Sequence, residues 1–211
     1  MEQILLILFG WLLGLLSPLI VNKINSEYDK KKFYKALCAE LYDLQYRVAV
    51  VSFLLGQRFG ELNMTNLKEI QPIIKNYNGS EKNENISNLI DGLLKADKIE
   101  FKKLITHMRA ETGVGLGLKT FSPSFLEANM ALVSKLPIDL QSKIHEFKNH
   151  LNIFNQEVLK ANEDHKMTFD SSLSDENHER LTNSLLEKYA FIQGVSLRVV
   201  GRIEAVLSSK L

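Results

Sequence analysis

The sequence predicts an all-α protein in two parts: an N-terminal single transmembrane helix over residues 1–25, then an antiparallel helical bundle over residues 26–211. Three observations carry this expectation. Residues 3–22 hold no charged side chain. Beyond them, apolar residues return every three or four positions through several long stretches, the period of one helical face. No segment sustains the apolar–polar alternation of a strand, and four prolines and eleven glycines in 211 residues leave room for long helices. The overall balance, 45% apolar and 24% charged with a net charge of +1, excludes disordered, collagen-like and disulfide-scaffold classes.

The first element runs from Ile4 through Gly10, Trp11, Gly14 and Pro18 to Val21 and is otherwise almost all Leu, Ile, Phe and Val. As a helix rising about 1.5 Å per residue it reaches roughly 27 Å, close to the ~30 Å hydrocarbon thickness of a bilayer. A secretory leader would need a basic start and a small-residue cleavage site; the chain opens Met1-Glu2-Gln3, and bulky residues surround the end of the run. A buried core helix would need a water-facing stripe, and residues 5–16 have none. Gly10 and Gly14 form a small-xxx-small pair suited to close approach of a second helix, and Pro18 predicts a modest bend.

Lys23, Lys30, Lys31, Lys32 and Lys35 follow the run, whereas only Glu2 precedes it. Basic residues beside a span stay in the cytoplasm, so the amino terminus is expected outside and the bundle inside, with a bacterial inner membrane as the setting. The same lysines suit anionic lipid head groups, at about 1 kcal/mol each. The lone Cys38 forms no intramolecular disulfide and is compatible with a reducing compartment. The sequons at Asn63, Asn78 and Asn85 read as chance in an Asn-rich chain.

In the bundle, Ser26 is positioned to cap a helix starting at Glu27, with Phe33, Leu37, Leu41, Leu44, Val48, Val51 and Leu55 along one stripe. A short amphipathic piece around Pro72, a polar linker at residues 78–84, and helices carrying Ile86 to Leu94 and Ile99 to Met108 come next. Ser122-Pro123 predicts a capped start for a helix with Leu126, Met130, Val133 and Leu136 inward. Pro137 opens the helix of Leu140, Ile144, Phe147, Leu151, Phe154 and Val158, the clearest stripe. A loop is expected from Glu163 to Leu173, and Ser174 caps the last helix, with Leu181, Leu185, Ile192, Val195, Val199, Ile203 and Val206 inward.

Gly113, Gly115, Gly117 and Lys119 fall one residue short of the phosphate-cradling pattern, because Leu118 stands where glycine is needed before the lysine. A helix precedes this stretch where a strand is required, so it reads as a flexible connection. With Phe121 just beyond, it is also a possible contact loop. The five histidines show no metal-ligand spacing, and Cys38 reads as a structural thiol. No catalytic, cofactor-binding or metal-binding residues are predicted. The near-neutral charge argues against nucleic acid. The expected function is a membrane-anchored interaction or scaffold module without catalytic activity, whose partners are the lipid bilayer and a protein partner or a second copy as homo-oligomer. The alternative is a self-assembling membrane effector, toxin-like or host-defence, triggered through the bundle.

Overall fold

A computed structural model describes the backbone of residues 2–59, 62–109 and 115–209, with the side chains of residues 2–10, 12, 13, 15, 16 and 19 outside the description. Among the described residues all regular structure is helical: α1 (Glu2–Arg58), α2 (Met64–Asn76), α3 (Glu84–Lys95), α4 (Lys98–Met108), α5 (Ser124–Ala128), α6 (Met130–Val133), α7 (Ile138–Met167) and α8 (Asp175–Leu207).

The first element differs from the expectation. Ser26 caps nothing, because α1 continues unbroken through it. No glycine or proline lies between Pro18 and Gly56, and the intervening Leu, Lys, Ala and Glu residues are strong helix formers, so nothing forces an end. Pro18 itself sits inside the helix. Only from Phe33 onward does α1 enter the core: Phe33, Leu37, Leu41, Leu44, Val48 and Leu55 are buried, joined by Ala49 and Phe53, while Val51 is half-buried.

Helix α8 lies between α1 and α7 and packs against both. Tyr34 donates to the carbonyls of Val206 (3.0 Å) and Ser209 (2.7 Å), and at the other end of α1 the ring of Phe59 stacks on Tyr189, so α1 and α8 run antiparallel. Lys143 donates to Ser209 (2.9 Å), Arg202 pairs with Glu146 (2.7 Å) and Lys188 pairs with Asp164, so α7 and α8 are also antiparallel. It follows that α1 and α7 are parallel. The α7 stripe is buried throughout. On α8, Leu185, Ile192, Val195, Val199, Ile203 and Val206 are buried as expected; Leu181 is half-buried, and Tyr189 and Val200 take inward places that the spacing had not marked. Burial of these side chains, at roughly 1.5–3 kcal/mol for each large one, holds the bundle together.

The remaining helices wrap this core. Helix α2 packs against α1 and α3 against α2, and Asp91 of α3 receives bonds from Gln71 (2.8 Å) and Lys75 (3.0 Å) of α2. Asn63, Asn83 and Asp97 cap α2, α3 and α4. Pro72 lies inside α2, and Asp97 separates α3 from α4.

Two boundaries are corrected. Ser122 does not cap α5; its hydroxyl donates to Glu127 (2.7 Å), Pro123 precedes the helix without a side-chain cap, and the segment breaks at Asn129 into α5 and α6. The loop expected from Glu163 starts later, because α7 continues to Met167. Asp164 is buried against Lys188, and His165 and Lys166 suit the negative end of the helix, so the last turn is worth forming. Ser174 does cap α8.

Candidate functional site

Two features collect the residues singled out by the sequence. The first is the projecting part of α1. Of the expected span, Ile4 and Gly10 lie outside the described side chains. Trp11 is 64% exposed and Val21 49%, Gly14 and Pro18 are exposed, and among the described residues no other side chain lies within 4 Å of where a Gly14 side chain would begin. Among the described residues, no helix is long and apolar enough to cross a membrane.

The lysine collar stands on the same helix between the exposed stretch and the bundle. Lys23, Lys31, Lys32 and Lys35 are exposed. Lys30 pairs with Glu27 at 2.7 Å, and that ammonium holds the Glu27 carboxyl below its ordinary range. Just beyond, Phe33 stacks on Phe125 with ring centroids 5.7 Å apart, which fixes where the free helix ends.

The second feature is the stretch after Gly113, which itself lies outside the described residues. It is not a flexible connection. Residues 116–121 are extended over the bundle and held by side chains of α7 and α8. The Tyr189 hydroxyl accepts from Leu116 N–H (2.7 Å) and donates to Leu116 C=O (2.8 Å). The amide of Asn162 closes on both backbone groups of Leu118 (2.9 and 2.7 Å), and that of Asn155 on both groups of Phe121 (2.9 and 2.7 Å). With these N–H groups committed, the strap cannot cradle a phosphate with them.

Gly115 is required by contact: a side chain there would meet the His165 ring at 1.9 Å. Leu118 is buried, Phe121 stacks on Phe154 at 5.8 Å, and Gly117 and Lys119 face outward. The last three of these border a cleft of about 460 Å³ between the strap and α1. Val50, Val51, Leu54 and Ile86 make its walls apolar, with Lys119 and Arg47 at its edge. Arg47 is engaged by Asp43 (2.8 Å) and Glu81 (3.2 Å). With Glu81 also in the lining and Arg47 already paired, the groove offers a mainly apolar surface.

Sequence reasoning missed the residues that fasten this region. Tyr46 donates to the Glu81 carbonyl (3.0 Å) and accepts from Asn83 N–H (2.8 Å), while its ring stacks on Tyr77 with centroids 3.8 Å apart. Tyr77 in turn donates to Asp43, and burial, then Asp43, pushes its phenol up to about 12. No local sequence signal marks these pairs. Cys38 is half-buried, and burial pushes its thiol up, away from nucleophile character. His178 bonds the Thr168 carbonyl (2.8 Å) and His150 the Glu146 carbonyl (2.9 Å). Comparison with family profiles, with curated proteins and with solved structures finds no match to this chain.

Proposed function

We propose that this chain is a single-pass membrane-anchored interaction module without catalytic activity, whose bundle binds a protein partner at the cytoplasmic face of a bilayer. The observation that carries the reading is the continuity of α1, which joins a charge-free apolar stretch to the bundle core with no break. Trp11, Ile20, Val21, Ile24 and Tyr28 are each about half exposed or more, and lipid is the solvent that relieves such a surface.

From Asn22 to Phe33 the helix rises about 17 Å, more than the roughly 6 Å depth of a head-group layer. The bundle then stands clear of the surface on a stiff strut, with the lysine collar in the gap. Tethering raises the local concentration of the strap cleft for membrane-associated partners without any catalytic group. The amino terminus is outside in this arrangement, as basic residues flanking a span require.

Carbonate washing of membranes from expressing cells tests the anchor. The full chain is expected in the pellet, and its release with the first residues attached overturns the proposal. Orientation is read with Ser208→Cys in a Cys38→Ser background: labelling only after permeabilisation is expected, and labelling of intact cells reverses the assignment.

A further inference from the structure

A second cleft, separate from the strap and independent of the membrane anchor, opens between α1, α2 and α8 with a volume of about 670 Å³, within the size range of small-molecule sites. We propose that it binds an organic cation, an ammonium or guanidinium group carried on an aliphatic stem. Its two charged lining groups are both carboxylates, Glu69 on the α2 wall and Glu204 on the α8 wall, and none of the described lining residues is basic. Tyr42 and Tyr77 add aromatic surface, which attracts cations, and Ile73 and Pro72 offer contact for hydrocarbon.

Two further observations point to a ligand. Gln45 lines the cleft and is only 2% exposed; its amide nitrogen donates to Glu204 (3.0 Å) and to the Val200 carbonyl (3.4 Å), and among the described residues its amide oxygen accepts nothing. That oxygen is open to solvent, so an N–H donor brought into the cleft can partner it. The other observation is Gly201. It lies in the interior of α8, where glycine is the least favourable residue after proline, yet no atom stands within 4 Å of where its side chain would begin. Helix packing therefore does not call for a glycine; what its missing side chain provides is open volume in the cleft.

The donor set on the ligand side is thus several N–H groups and one positive charge on a stem, a pattern shared by free amines and by the arginine side chain of a peptide. Calorimetry on the full chain in a nonionic detergent distinguishes the sources, with n-butylamine as the free amine and N-acetyl-Gly-Arg-Gly-amide as the peptide. Saturable binding of at least one probe below millimolar concentration is expected, the tighter one identifying the source. Gly201→Leu, which fills the cleft from an exposed position, and Glu69→Gln, which removes one carboxylate charge, should each weaken it at least tenfold with a thermal midpoint no lower than the parent's. Absence of saturable heat with both probes overturns the proposal, as does wild-type binding by folded Gly201→Leu or equally tight binding of the neutral analogue N-butylacetamide.

Discussion

Asn162 does for Leu118 what a neighbouring strand would do, donating to its carbonyl at 2.7 Å and accepting its N–H at 2.9 Å through a single side-chain amide. Asn155 repeats the arrangement on Phe121. The repeat works because two periods coincide: three extended residues, 118 to 121, cover about 10 Å, and seven helical residues, 155 to 162, rise about 10.5 Å. An extended chain running antiparallel to α7 therefore meets an asparagine every two turns.

Removing one grip should loosen the strap alone. Asn162→Leu leaves both backbone groups of Leu118 without their partner and is expected to cost about 1–3 kcal/mol. Hydrogen exchange at the Leu118 amide should accelerate at least tenfold while amides in the α7–α8 core keep their rates. Unchanged exchange would show that Asn162 does not hold the strap.

A carboxylate from α1 caps α5 at a distance in sequence. Glu40 accepts from Phe125 N–H (2.6 Å) and Leu126 N–H (3.0 Å), two groups with no partner of their own at a helix start. Glu40→Ala should lower stability by about 2 kcal/mol, and Glu40→Gln, with one acceptor oxygen in place of two, by about half that. Denaturant midpoints of the two variants check the order.

Gln193 gives the opposite sign. It is 5% exposed, its amide nitrogen has no partner, and it packs where Gly56 leaves room, since a side chain on Gly56 would meet it at 2.3 Å. Gln193→Met removes an unsatisfied buried donor at similar volume and should be neutral or stabilising by up to about 1–2 kcal/mol. Gly56→Ala should instead destabilise by about 1–3 kcal/mol through overpacking. Thermal unfolding of both variants separates the two effects.

Alkaline pH should unfold the bundle. Burial, followed by the Cys38 thiol, raises Tyr34 to about 12; Tyr77 also stands at about 12; and burial raises Tyr189. Because each native phenol holds its proton above the ordinary value near 10, the unfolded chain ionises first. The stabilisation is complete below about pH 10 and is lost as pH rises toward 12. Denaturation midpoints between pH 9 and 12 should fall, and less steeply in Tyr34→Phe than in the parent chain.

Much of the architecture could be read from residue spacing. Every α7 position from Leu140 to Val158 assigned to the core is buried, and Ser174 caps α8, because one stripe and one cap are local properties of the chain. The end of α7 was not legible in the same way: the polar stretch 163–167 is helical, and Lys188, twenty-four positions from Asp164, pairs with it there. The glycine stretch shows the same limit, since the loop was visible but the partners of its Leu116, Leu118 and Phe121, namely Tyr189, Asn162 and Asn155, lie on two other helices.

The sequence by itself determined that the described chain is helical, which faces of its long helices turn inward, and that a charge-free stretch precedes a row of lysines. Periodicity and composition are properties of neighbours along the chain, so they need no fold to be read. Tertiary structure alone decided that α8 is the central helix, that Glu40 caps α5, and that the glycine stretch is a strap. Each of these depends on hydrogen bonds or packing between residues far apart in sequence, whose spacing carries no information until the helices are laid side by side.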